Sequence, residues 1–67
     1  MTIYLNDTAK ECESSISLLG FLQTESLAEA RGIAVAVNQS VVPRSDWETY
    51  QLKNQDQVMV IRATQGG

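Results

Sequence analysis

The chain is expected to fold as an α+β domain in which a mixed sheet of four to five strands carries one main helix packed across one face and a flexible C-terminal tail. Three observations predict this. Apolar side chains alternate with polar or small ones at 2–6 and 33–37, and 57–63 is a short run apolar on both faces, both patterns of strands in a pleated sheet. Between the first two segments Ile16, Leu19 and Leu22 recur every three positions, with Leu18 and Phe21 widening the stripe, as on one face of a helix. Finally, 67 residues make one small domain that buries roughly 60% of its unfolded surface. Residues 1–63 are assigned to the domain and 64–67 to the tail.

Each element has a local reason. Ile3 and Leu5 alternate with Thr2, Tyr4 and Asn6, and Asn6-Asp7-Thr8 supplies turn chemistry before the short stretch 9–12, giving an N-terminal hairpin. Ser14 or Ser15 can cap the helix, which is expected to end near Gln23 or Thr24. Gly20 weakens it by roughly 1 kcal/mol relative to alanine, although glycine also permits close approach to a sheet. Residues 24–32 read as a connection. In the next strand Ile33, Val35 and Val37 form a β-branched face directed at the helix, and Ala34 and Ala36 form a small one. Asn38-Gln39-Ser40 is a turn candidate, Val41-Val42 resumes an extended segment, and Pro43 closes it because proline donates nothing to a ladder. Ser45-Asp46-Trp47-Glu48 has the spacing of a capping box and is expected to start a helical turn that carries Trp47.

The last strand is apolar on both sides. Val58 and Val60 point beneath the helix, while Met59, Ile61 and Ala63 fall on the opposite face with Ala34 and Ala36. A domain of this size cannot cover both faces of its sheet. The remaining apolar patch is therefore expected to be a docking surface.

Composition narrows the function. The formal net charge is −3, and the five basic residues Lys10, Arg31, Arg44, Lys53 and Arg62 are scattered, which argues against a nucleic-acid ligand. No apolar run has the roughly 20 residues that span a bilayer, and no signal-peptide pattern opens the chain. A cytoplasmic location is expected, with no membrane partner. There is no histidine, no glycine-rich phosphate loop and no cluster with metal-ligand spacing, so no catalytic residue and no metal site is assigned. The single cysteine, Cys12, is read as a small packing residue. The chain closes on Gly66-Gly67, whose unshielded carboxylate suits a narrow partner site.

The order of hairpin, helix, strand, short strand, helical turn, long strand and Gly-Gly tail resembles the ubiquitin-like β-grasp fold. The residues resemble one family within it. Ala34-Val35-Ala36-Val37-Asn38-Gln39-Ser40-Val41-Val42-Pro43-Arg44-Ser45-Asp46-Trp47, followed by Leu52, Asp56, Val58 and Gly66-Gly67, is similar to the ThiS family of thiamine-biosynthesis sulfur carriers, and the likeness extends back to the opening strand and Asn6. It implies a carrier that is not itself an enzyme. An E1-like adenylyltransferase of the ThiF type would use ATP and magnesium to adenylate Gly67. Sulfur from a cysteine desulfurase or sulfurtransferase would then give a terminal thiocarboxylate, which would supply the sulfur of the thiazole ring in a thiazole synthase of the ThiG type. The chain itself would bind no cofactor.

On this reading Gly67 and Gly66 form the sulfur-carrying terminus. The partner surface comprises Met59, Ile61, Ala63, Ala34, Ala36, Arg44, Thr64 and Gln65, with Arg44 a candidate for a partner salt bridge. Three other readings remain: a molybdopterin-synthase-type carrier subunit, a ubiquitin-like protein modifier, and a binding module with an inert tail. Two departures from the family pattern stand out. Gln55-Asp56 occupies a turn that usually has Gly-Asp, so that the left-handed position is expected to move to Asn54 or the turn to change type. Thr64-Gln65 replaces a pair that commonly begins with an aliphatic residue. Disorder is expected from Thr64 onward.

Overall fold

The computed structural model describes residues 1–62. Five strands, β1 (Thr2–Leu5), β2 (Thr8–Glu11), β3 (Ile33–Val37), β4 (Ser40–Val41) and β5 (Gln57–Arg62), surround one helix, α1 (Leu18–Thr24), and a single 3₁₀ turn at Arg44–Asp46. The sheet order is β2-β1-β5-β3-β4. β1 and β5 run parallel, while the other neighbours are antiparallel. This is the expected mixed sheet, with the first and last strands side by side. The predicted strand residue Ala63 and the tail at 64–67 lie outside the described residues.

Both hairpins turn on an asparagine. Asn6 and Asp7 take φ of 47° and 70°, and Asn38 and Gln39 take 50° and 73°. Positive φ at both central residues marks type I′ turns, whose twist matches that of the flanking strands and whose first position favours asparagine. The β-branched face of β3 meets the helix as predicted. Ile3, Val35, Val37 and Val58 from the sheet join Leu18, Phe21 and Leu22 from α1, and Val42, Trp47 and Leu52 complete the buried core.

The helix differs from expectation at its start. Ser15 has φ of 67° and cannot serve as an extended N-cap; Ser17 does, at φ −78° and ψ 163°, with its Oγ accepting the Gly20 N–H. The core-facing stripe is therefore Leu18, Phe21 and Leu22, while Ile16 precedes the helix and packs beside the core. The other leading amides are capped from far along the chain: Leu18 N–H donates to the Tyr50 carbonyl at 2.7 Å and Leu19 N–H to that of Trp47 at 2.9 Å. Gly20 serves this junction and not the sheet, since a Cβ there would lie 3.0 Å from Ile16 Cγ1 and 3.3 Å from Ser17 Oγ. At the other end Ser26 N–H bonds the Gln23 carbonyl and Leu27 N–H that of Leu22. With Ser26 at φ 61°, this is a Schellman stop.

The predicted capping box at Ser45 to Glu48 does not form. Pro43 takes the cap position, extended at φ −61° and ψ 150°, and no side chain caps the turn. The proline already has the φ that the first turn needs, and it places Trp47 directly under the core. The indole is 2% exposed and its Nε1–H donates to the Val42 carbonyl at 2.9 Å. Arg44 then closes over it. Its guanidinium carbon lies 4.4 Å from the Trp47 ring centroid, and its two terminal nitrogens donate to the carbonyls of Ala28 and Ala30 at 2.8 Å each. The 24–32 connection is thereby tied to the 3₁₀ turn.

Asp56, 5% exposed, is the one buried charged residue of the described chain. Its Oδ1 accepts from Asn38 Nδ2 at 3.0 Å and its Oδ2 from Lys53 N–H at 2.8 Å. Asn38 Oδ1 in turn accepts the Gln57 N–H at 2.9 Å. The network joins the β3–β4 turn to the start of β5. The left-handed position of the preceding turn stays at Gln55, at φ 72°, where the related pattern has glycine.

Two predictions follow from this geometry. Gln55→Gly relieves a left-handed non-glycine residue and raises unfolding stability by up to about 1 kcal/mol, after the loss of backbone entropy is offset; urea denaturation measures it, and a decrease would show that the Gln55 conformation is not strained. Arg44→Met retains the aliphatic stem but removes both donors and the cation–π contact, and lowers stability by about 1–2 kcal/mol, with faster amide exchange around 28–32. Unchanged stability would return Arg44 to the free surface.

Candidate functional site

The apolar part of the sheet's uncovered side is assembled from alternate residues of β3, β4 and β5. Register places Ala36 beside Met59 and Ala34 beside Ile61, so four residues selected from sequence stand together in two adjacent rows. Met59 is 51% exposed and Ile61 53%; Ala34 is exposed and Ala36 half-buried. Among the described residues no helix lies over them, because α1 is occupied with the opposite face. β4 adds a residue that sequence reasoning had not placed there. Val41 pairs with Ala36 and is 71% exposed, extending the apolar row from Met59 through Ala36 to the sheet edge. Its signal was the parity of the Asn38-Gln39 turn, which fixes the face on which Val41 falls.

Arg44 is not part of this surface. It lies on the helix side, over the buried Trp47 and beside the 28–30 carbonyls, so its donors are used within the fold. Ala63, Thr64, Gln65, Gly66 and Gly67, the remaining predicted site residues, lie outside the described residues. What the structure fixes is the strand that leads to them. β5 is central in the sheet, paired with β1 on one edge and β3 on the other, and the same strand displays Met59 and Ile61. The apolar surface and the approach to the terminal glycines are thus one continuous element.

The electrostatics around Cys12 differ from those of a reactive thiol. The residue follows β2, half-buried beside the core, and burial pushes its thiol pKa up, with the neighbouring Glu11, Glu13 and Glu25 adding to the rise against the opposing N-terminal ammonium. A raised pKa in the fold keeps the thiol neutral. Its contribution to stability is therefore complete below the unfolded thiol pKa and is lost as pH climbs through the folded one. At pH 8, Cys12 is expected to react with iodoacetamide more slowly in the folded chain than in urea; equal or faster reaction would mark it as an activated thiol. Among the described residues, no helix is long and apolar enough to cross a membrane.

Comparison with known proteins gives this geometry a context. The fold is shared with a crystal structure of a thiamine biosynthesis protein (ThiS) from Geobacter metallireducens, at a TM-score of 0.86 and 22% identity, each chain covered in full. A solution NMR structure of a thiamine biosynthesis protein from the same organism superposes at a TM-score of 0.76 and 22% identity, over all of this chain and 88% of that one. In sequence, the sulfur carrier protein ThiS of Escherichia coli (strain K12) is 31% identical over 67 residues, the full length of both chains. Since the ThiS family pattern also matches residues 3–67, from the first strand through the terminal glycines, the chain belongs to the ThiS family.

Proposed function

We propose that this chain is a sulfur carrier protein of thiamine biosynthesis, a covalent co-substrate of partner enzymes and not an enzyme itself. The observation that carries the proposal is the family match that extends to Gly67, together with 31% identity to a ThiS sulfur carrier across the whole chain. The functional group is then the carboxylate of Gly67. A carboxylate is a poor acyl donor, so an E1-like adenylyltransferase of the ThiF type activates it. A Gly67 carboxylate oxygen attacks the α-phosphorus of ATP, pyrophosphate leaves with magnesium, and the acyl carbon now carries AMP. The terminal sulfur of a persulfide, supplied by a cysteine desulfurase or sulfurtransferase, displaces AMP. A second thiol cleaves the resulting S–S bond and leaves the thiocarboxylate, which donates its sulfur to the thiazole ring in a thiazole synthase of the ThiG type.

Gly66 and Gly67 suit these steps because neither has a Cβ to obstruct a partner's channel and both adopt backbone conformations closed to other residues. The domain's part is recognition. Met59 and Ile61, with Ala34, Ala36 and Val41 around them, offer an apolar surface on the strand that leads to the tail, the kind of exposed patch that marks a protein interface. ATP and magnesium belong to the partner.

Intact mass spectrometry tests the cycle. After incubation with an adenylating partner, ATP and a persulfide source, the chain is expected to gain the mass of sulfur minus oxygen, and a variant lacking Gly66-Gly67 to gain nothing. No gain in the full chain, with a partner shown to be active on another carrier, would overturn the proposal. Isopeptide conjugates of Gly67 to lysine in cell extract would identify a protein modifier instead.

A further inference from the structure

β1 ends at Leu5, and the chain then reverses through Asn6 and Asp7. β5 continues as far as Arg62. The parallel ladder, Tyr4 with Gln57 and Leu5 with Val58, therefore runs out of β1 well before β5 ends. Asn6 extends it with its own side chain. Its backbone N–H donates to the Val58 carbonyl at 2.9 Å, its Oδ1 accepts the Val60 N–H at 2.9 Å, and its Nδ2 donates to the Val60 carbonyl at 3.4 Å. A carboxamide offers the same donor and acceptor as a peptide group, so the side chain stands where the next peptide of β1 would be. Val60 thus turns both its N–H and its C=O to Asn6 on one edge, while on the other it lies in register with Val35. Beyond it, Ile61 and Arg62 pair only with Ala34 and Ile33 of β3.

We infer that Asn6 is a positioning residue for the C-terminal tail, fixing at Val60 the direction in which β5 delivers Gly67 to a partner's active centre. This inference rests on the proposed carrier function. Its physical basis is leverage. Two residues, Ile61 and Arg62, carry β5 on from Val60 and span about 7 Å. A swing of about 20° at Val60 then shifts the point from which the tail departs by roughly 2 Å and turns its direction by the same angle, beyond the tolerance of a reacting geometry. The contacts are solvent-exposed and lie at one end of the sheet, so they add little to global stability while governing how the end of β5 opens.

Three variants separate positioning from mere stability. Asn6→Gly keeps the positive φ of the turn and removes the side chain; Asn6→Asp keeps an acceptor for the Val60 N–H and loses the donor; Val42→Ala weakens the core without touching Val60. Two readouts apply: residual dipolar couplings with amide exchange at Val60, Ile61 and Arg62, and KM and kcat for the chain in ATP–pyrophosphate exchange with the adenylating partner. Asn6→Gly is expected to change the couplings, to speed Val60 exchange about tenfold, and to raise KM about three- to tenfold with kcat within about twofold. Asn6→Asp falls between it and the wild type, and Val42→Ala lowers stability with KM unchanged. An adenylated wild type with an unaltered KM in Asn6→Gly, unaltered couplings, or an equal KM rise in Val42→Ala overturns the positioning role alone. A wild-type chain that is never adenylated overturns the carrier reading and the positioning role together.

Discussion

A helix of seven residues, Leu18 to Thr24, covers one face of a five-stranded sheet, and the described residues contain no second α-helix to cover the other. From that one-sided coverage the rest of the molecule follows. The face under α1 takes the β-branched residues Val35, Val37 and Val58 and is dry. The other face stays exposed: it includes the small Ala34 and Ala36 and the larger Met59, Ile61 and Val41, each more than half exposed. Their apolar area stays in contact with water in the free chain and would leave it on docking.

The same shortage of chain explains how the strand ends are held. β1 and β2 have four residues each and β4 only two, too few for long ladders. Polar side chains make up the missing hydrogen bonds. Asn6 supplies the rung that β1 lacks against β5. Asn38 and Asp56 join the β3–β4 turn to the beginning of β5, and the indole of Trp47 satisfies the Val42 carbonyl where β4 ends. Every buried side-chain donor and acceptor among the described residues has a partner. An orphaned one would cost about 1–3 kcal/mol, a large share of the marginal stability expected of so small a domain.

Strand parity was legible in the sequence because alternation is local: Ile33, Val35 and Val37 read as one face wherever the chain goes next, and the assignment of Met59 and Ile61 to the opposite face needed only the same count. The fold class and the family were legible from element order and from the Asn38 to Trp47 segment. The errors share a different cause. Ser17 caps α1 in preference to Ser14 or Ser15 because the Leu18 and Leu19 amides are met by carbonyls from Tyr50 and Trp47, which are remote in sequence. The apparent capping box at Ser45 gave way to Pro43, whose fixed φ starts the turn two residues earlier. Arg44 reads as a candidate for a partner salt bridge, whereas its terminal nitrogens donate to backbone carbonyls of a separate connection. Residue pattern reports period and face, whereas a hydrogen bond between segments that meet only after folding leaves no periodic trace.

On the proposed function, recognition and chemistry occupy one strand and its extension, and covalent geometry limits how far apart they can act. Arg62 is the last residue of β5, and five residues follow it to Gly67, with a maximum reach of about 17 Å. A partner that docks on Met59 and Ile61 must therefore hold its nucleotide within roughly that distance of the apolar contact. If its centre lies much nearer, the tail has slack and arrives in many directions; if farther, it cannot arrive at all. Binding energy from the apolar surface is then converted into placement of the acyl carbon only to the extent that the end of β5 is rigid. This makes Val60, bonded to Asn6 on one edge and in register with Val35 of β3 on the other, the point at which the packed domain and the reactive terminus are mechanically joined.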